Sequence, residues 1–551
     1  ARQFLEGHKT TQKLFGYTGD TLWLPDVFGY SAALPQIMKQ CEIKHFVTSK
    51  INWNDTTHFP YDTFTWQGSD GSEIFTHFIT NRIHGYNAEV YPDVMTDAWK
   101  HVQHKEVQDG ILMSIGYGDG GGGPTREMCE RARRMSDLAG CPKTSFVNAS
   151  KFLADMEAAT PKRPRWVGEL YLECHRGTYT TQARTKRYNR KLELLLRDVE
   201  YFSVQAMTQG LPYPAQELET HWRTLLTNQF HDILPGSSIS QVYEIAEAEY
   251  AAMETALQKL KAAALKHLVN PRAGKAKNKN ILIANTLSWD RSEVIEIKNT
   301  DATEVLDEAG NVLPSQRLKS RKALAALVAI EELHAKCVVP RKARPHRHPS
   351  RFKHTRQTLT TPHYRVRFDR AGRISSLVDR AADRELVQLG RPLNAFYTAE
   401  DRPVYWDAWN IDRFYRDKIQ QEDRLRARKV IEDGPLLTTV RQKYAIGRHS
   451  ALTQDITFYA HTKRIDFKTQ VDWNEKQVLL KVGFPLDVHT TQLRSEIQFG
   501  HVMRNTHENT PFDRAQHETC AHKWVDLSEG DYGVALLNDC KYGHDTLDGM
   551  L

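Results

Sequence analysis

The chain has 551 residues, 40% hydrophobic and 26% charged, which excludes a wholly disordered or fibrous protein and allows three or four domains at about 150 residues each. Its net charge of +7 is modest for that length and predicts no nucleic-acid partner, and no apolar run reaches the roughly 18 residues of a membrane span. The opening Ala1-Arg2-Gln3-Phe4-Leu5 lacks both a methionine and the basic-then-apolar layout of a secretory signal, which predicts an end made by processing or truncation. The seven cysteines are scattered and never paired as Cys-x-x-Cys, which argues against a disulfide framework or a thiolate metal site and favours a reducing compartment.

Residues 1–165 alternate short apolar strands with helical stretches. Thr21-Leu22-Trp23-Leu24 is followed by a helix from Ser31 to Gln40, then by His45-Phe46-Val47-Thr48 and, later, by Ile111-Leu112-Met113-Ser114-Ile115. This alternation predicts a parallel α/β domain, whose functional side chains stand just past the C-terminal ends of strands. Asp26 and Asp119 fall at such places. Within residues 166–270 the period becomes helical from about Tyr188. Leu192, Leu195, Val199, Phe202 and Ala206 form one stripe, and Leu218, Trp222 and Leu225 a second. The third stripe is Val242, Ile245, Tyr250, Met253, Leu257 and Leu260, preceded by Ser238 and Gln241 in the spacing of a capping box. Three such helices predict a small bundle.

Asn270 to Lys279 reads as a linker. Residues 280–551 are strand-like, as in Ile281-Leu282-Ile283, Val294-Ile295-Glu296-Ile297 and Ile456-Thr457-Phe458-Tyr459, and predict β-sandwich domains. In Arg321 to Leu333, rich in Ala and Leu, helix and strand signals conflict. The basic stretch Arg341 to Arg356 reads as a solvated loop or disordered insert. A nucleic-acid or acidic-lipid patch is the weaker alternative, because no stacking aromatics accompany it.

Three segments carry residues suited to chemistry. Trp23 to Ser31 sets Asp26 between a strand and a Gly-containing turn, with Phe28 two residues on. A carboxylate can attack an anomeric centre while a ring packs on a pyranose, yet Asp26 could equally cap the next helix. Ser114 to Thr125 holds four consecutive glycines and one acid, Asp119. It lacks the Lys-Ser or Lys-Thr of a phosphate loop, which leaves a close ligand approach or a plain flexible turn. Asn228 to Ser238 contains His231 and Asp232. The imidazole is a candidate zinc ligand with Asp232 as its orienting partner, or else a helix-end cap.

Together, and in this order, these segments resemble the motifs of glycoside hydrolase family thirty-eight α-mannosidases of the cytosolic and bacterial branch. The resemblance runs through Trp23 to Ile37, Gly116 to Thr125, Trp166 to Arg190, Gln229 to Ile239, Asp407 to Asp412 and Cys520 to Lys541. It implies a multidomain α/β plus all-β chain: a partial seven-stranded β/α barrel over 1–165, a three-helix bundle over 166–270 and β-sandwich material over 280–551. It implies Asp26 as nucleophile and zinc ligand, His231 as second zinc ligand, and Asp119 as general acid/base. Phe28, Lys50 and Asp232 would lie against the sugar. The implied cofactor is zinc, with cobalt as an alternative, and the implied partners are mannose-containing oligosaccharides in the cytoplasm, with a homo-oligomer left open.

A retaining reaction of this kind sets its two carboxyl groups about 5 to 5.5 Å apart. The family's metal site draws two further ligands from an N-terminal His-x-Asp segment, and no His in this chain stands two residues before an Asp. The resemblance therefore implies a fragment that lacks the first barrel strands and the last β region, inactive alone. A complete chain would instead be a carbohydrate-binding or scaffold relative. A metal-dependent deacetylase on a related barrel would need a His-rich ligand set that is missing.

Overall fold

The computed structural model describes residues 1–79, 86–269, 280–344, 349–547 and 549–551. The N-terminal part is built on a five-stranded sheet of β1 (Thr21–Trp23), β2 (His45–Thr48), β3 (Thr63–Gln67), β4 (Glu73–Phe78) and β5 (Arg165–Val167), in the order β1-β2-β4-β3-β5. β1, β2 and β4 run parallel, as do β3 and β5, but β3 and β4 pair antiparallel. The parallel α/β expectation is thus corrected to a mixed sheet, which has five strands among the described residues where the resemblance implies a partial seven-stranded barrel. The antiparallel pair follows from the short turn between β3 and β4. Gly71 takes a left-handed φ of 86° there, and Asp70 Oδ1 accepts the Ser72 N–H.

All four side chains of β2 are buried, as a parallel strand covered on both faces requires. Phe46, Phe64, Trp66 and Phe78 form the core on one face, and Val47 and Phe75 meet Leu153 and Met156 of a helix on the other. The expected strand Ile111–Ile115 does not form. Its backbone is satisfied instead by an isolated bridge, in which Ala88 N donates to Ser114 O (2.8 Å) and Gly116 N to Ala88 O (3.1 Å), while Leu112 N donates to His77 Nε2. An apolar run becomes a strand only where a sheet edge is open to it.

Helices Ala183–Met207, Ala215–Thr227 and Ser240–Val269 share a core that contains Leu192, Leu196, Val199, Leu218, Leu225, Tyr250, Met253 and Leu257. The third helix is rotated from its expected phase at its start, for Tyr243 and Ala246 face inward while Ile245 is exposed. No capping box forms at Ser238. Its hydroxyl donates to Asp232 O (2.9 Å), which belongs to the preceding turn, and the helix begins at Ser240.

Beyond residue 280 the chain is almost entirely antiparallel sheet. Arg321 to Leu333 resolves as strand: Ala323–Ile330 lies between Arg291–Lys298 and Ser315–Leu318, and its small side chains suit a strand buried on both faces. The expected linker 270–279 lies outside the described residues, as do 345–348 of the basic stretch. The reading of that stretch as one solvated loop is corrected at its flanks. Arg341 ends a strand and pairs with Glu304, Phe352 is buried, and Lys353–His354 is a strand. Among the described residues no helix is long and apolar enough to cross a membrane.

His77 on β4 is fully buried, and burial pushes its pKa from 6.5 down to about 4. Because Nε2 accepts the Leu112 N–H, Nδ1 carries the proton and donates to Thr63 Oγ1 (2.9 Å). The unfolded chain binds a proton here at higher pH than the folded one, so this contribution is whole above pH 6.5 and is lost as pH falls toward 4. The loss is about 3 kcal/mol at most. Thermal unfolding across that window is expected to show a shallower fall of Tm in His77→Gln than in the unaltered chain.

Candidate active site

Asp26 stands in the turn that leaves β1, and Lys50 opens the 3-10 turn Lys50–Trp53 that leaves β2. Parallel pairing of β1 with β2 therefore puts both side chains at one end of the sheet. Lys50 Nζ lies 2.6 Å from Asp26 Oδ1 and 3.6 Å from the centre of the Trp53 ring, with only 4% of the lysine side chain exposed. Asp26 is not a cap, since the next helix, Leu34–Gln40, starts after Ala33. Burial alone would raise the Asp26 pKa. His231 and the charge of Lys50 outweigh it and hold the carboxyl below its ordinary value, so it is ionised at neutral pH.

His231 Nε2 lies 3.5 Å from Asp26 Oδ2 and 3.6 Å from Asp232 Oδ2. It is no helix cap either, because helix Ala215–Thr227 closes at Asn228. The turn after that helix is pinned by Lys186, whose buried ammonium donates to the carbonyls of Leu234 and Pro235 (2.9 Å each); burial lowers its pKa to about 7. Gly236 has a left-handed φ of 98° and sits so close to Thr181 that a Cβ would stand 2.5 Å from its carbonyl oxygen. Asp232 Oδ1 accepts from Ser237 Oγ (2.7 Å) and from Trp409 Nε1 (3.1 Å). Phe28 packs edge-on between His175 (4.9 Å) and His231 (6.2 Å).

Asp26, Phe28, Lys50, His231 and Asp232 are thus brought together. Asp119 is not in direct contact with them. It sits exposed on the glycine loop with φ of 57° and accepts a hydrogen bond from Tyr86, whose hydroxyl is held protonated by burial and then by the negative charges of Asp119 and Asp26. Within the loop Tyr117 N donates to Gly123 O (3.0 Å), and a Cβ at Gly122 would stand 2.1 Å from Tyr117 O.

Residue-by-residue reading of the sequence missed Trp53, Tyr86, His175, Arg176, Trp406, Trp409 and Asn410. Along one wall of the site the rings of Trp53, His175 and Trp406 lie 6.0 to 6.3 Å from one another, and Trp409 lies 6.2 Å from His175 and 6.1 Å from Trp406. Arg176, 1% exposed, donates from Nη2 to Phe28 O (2.9 Å) and from Nε to Cys174 O (2.8 Å), locking the Asp26 turn to residues 174–176. Their signals were the family-like segments Trp166 to Arg190, which contains His175 and Arg176, and Asp407 to Asp412, which contains Trp409 and Asn410; Trp53, Tyr86 and Trp406 lie outside both.

Asp26 and His231 are the facing pair of metal-type donors. Among the described residues no group of three or more His, Cys, Asp or Glu side chains could hold a metal ion. Zinc takes about four ligands, so the described residues do not by themselves fit it.

The family profile "Glycosyl hydrolases family 38 N-terminal domain" matches residues 1–169, "Alpha mannosidase middle domain" residues 173–268, and "Glycosyl hydrolases family 38 C-terminal domain" residues 359–551. The chain belongs to glycosyl hydrolase family 38. This family 38 chain is 37% identical to alpha-mannosidase 2C1 of Mus musculus, over 98% of the chain and 51% of the relative. It is 33% identical to alpha-mannosidase G of Dictyostelium discoideum, over 100% of the chain and 53% of the relative. In fold it is similar to the crystal structure of an alpha-mannosidase from Enterococcus faecalis V583, with a TM-score of 0.83 at 15% identity, covering 100% of this chain and 72% of that one. The chain spans about half the length of the curated relatives it matches.

Within this family 38 site the Lys50–Asp26 pair is open to a direct test. Lys50→Met leaves a half-buried carboxylate without its cation and is expected to destabilise the chain by about 3 kcal/mol. Adding Asp26→Asn should recover part of that loss, read as a coupling in a double-mutant cycle of chemical denaturation.

Proposed function

We propose that this chain carries the catalytic face of a retaining, exo-acting α-mannosidase that removes terminal α-linked mannose from oligosaccharides. The reading rests on the ionised Asp26, held by Lys50 and faced by Phe28 and a wall of aromatic rings, in a family 38 chain whose relatives bear the name alpha-mannosidase.

In this reading the Asp26 carboxylate attacks C1 of mannose as the bond to the leaving oxygen breaks, and Asp119 gives that oxygen its proton. Asp119 then takes a proton from water, which adds to C1 and releases Asp26, so the mannosyl-aspartate is hydrolysed with configuration retained. Tyr86 orients Asp119 through its hydrogen bond. Lys50 keeps Asp26 charged, and Phe28 packs on the sugar. Asp232, fixed by Ser237 and Trp409, has its other oxygen free of them to accept a sugar hydroxyl. Zinc, or cobalt in its stead, would be held by Asp26 and His231 only with further donors that the described residues do not supply. The cysteines, all free among the described residues, suit a cytoplasmic enzyme.

Hydrolysis of a chromogenic α-mannoside, with product configuration followed by NMR and metal content by mass spectrometry, tests this on the full-length protein beside the 551-residue chain. The full-length protein is expected to hold stoichiometric metal and to yield α-mannose first. Asp26→Asn should lower kcat by about a thousandfold or more. Asp119→Asn should spare the first step, and so kcat/KM, for substrates with good leaving groups, while slowing hydrolysis of the mannosyl-aspartate and so lowering kcat. A full-length protein that binds no metal and cleaves no mannoside would instead be a carbohydrate-binding or scaffold relative.

A further inference from the structure

His175 has no part in the steps above, yet more of the site converges on it than on any other side chain. It follows Cys174 in a left-handed conformation, φ 61°, rarely adopted by a non-glycine residue and here held by neighbours. The residue is 3% exposed and its imidazole is ringed by Phe28, Trp53, Trp406 and Trp409. Asn410 decides its protonation pattern. The Asn410 amide nitrogen donates to Tyr405 O (2.9 Å), and Oδ1 accepts the His175 backbone N–H (2.8 Å), so Oδ1 faces the ring as an acceptor. The His175 Nδ1, 2.9 Å from that oxygen, must therefore carry the hydrogen, which leaves Nε2 with a lone pair. Burial lowers the pKa of His175 to about 4, which keeps that lone pair free of a second proton near neutrality. Among the described residues no group donates to Nε2.

We infer that His175 is a specificity-determining residue whose Nε2 accepts a hydrogen bond from a hydroxyl of the bound saccharide, inside the recess walled by Phe28, Trp53, Trp406 and Trp409. The inference rests on the mannosidase reading and adds to it a fixed acceptor in an otherwise aromatic wall. The chemistry is selective because an aromatic wall accepts any sugar face, whereas a buried lone pair favours a ligand with a donor at one position. Asn410 acts as a positioning residue by choosing the tautomer.

Two measurements on the full-length protein test it. In the unaltered protein the imidazole ¹⁵N spectrum is expected to show an unprotonated Nε2 in His175, whose signal shifts when methyl α-mannoside is added. His175→Phe keeps a ring in the recess and removes the acceptor. It should lower kcat/KM for an aryl α-mannoside by roughly ten- to a hundredfold. Across the monodeoxy aryl mannosides, the one lacking the gripped hydroxyl should lose nothing further in His175→Phe. Cleavage of mannosides with an Nε2 signal that saturating methyl α-mannoside leaves in place overturns the inference alone, as does an equal penalty on every deoxy substrate. A protein that neither binds nor cleaves any mannoside removes the mannosidase reading, and this inference with it.

Discussion

A carboxylate kept ionised in a half-buried recess is the constraint around which this chain is arranged. Desolvation disfavours the charge on Asp26, and the hydrogen bond with His231 together with the Lys50 cation at contact distance restores it, so Lys50 is drawn into the buried site with it. Two parallel strands ending side by side bring them within 2.6 Å, and Trp53 covers the ammonium. The pair is an electrostatic unit before it is a chemical one.

The rest of the site is fixed by buried cations satisfied by backbone carbonyls. Arg176 ties the Asp26 turn to residues 174–176, and Lys186 ties the His231 turn to the first helix of the middle region. The aromatic loop 404–412 comes from the β half of the chain and is anchored differently. Ile411 is buried and accepts from His517 Nε2 (3.1 Å), and Tyr415 joins Lys481, Glu518 and Asp545 in a buried ionic network. Tyr171, three residues before Cys174, donates to Glu518 O (2.7 Å), so that network also touches the wall of the site. Three regions of sequence thus hold one recess, each through polar groups that burial forces into pairs.

Periodicity was a good guide where one face of an element is apolar and the other is not. The stripes through Leu192 to Ala206 and Leu218 to Leu225 face inward, and His45 to Thr48 is a fully buried strand. It failed where competing partners outside the segment decided the outcome. Ile111 to Ile115 has a strand composition, but its backbone groups bond Ala88 and His77. Ser238 has a capping residue's chemistry, but its hydroxyl found the Asp232 carbonyl first. Ala323 to Ile330 could have been helix by propensity and is strand because two neighbours flank it.

The site was legible in the same uneven way. Asp26, Phe28, Asp119, His231 and Asp232 lie in short motifs, and the family in their order, because a motif is a local arrangement that the chain writes contiguously; Lys50 came only with the family resemblance. That His175 and Asn410 share a hydrogen bond, that Trp409 reaches Asp232, and that Tyr86 holds Asp119 are contacts across 235, 177 and 33 residues. Sequence alone determined which groups are present and which turns can carry them. Only the tertiary structure decided their charge states, tautomers and partners, since these depend on what burial removes and on which neighbour replaces the lost water.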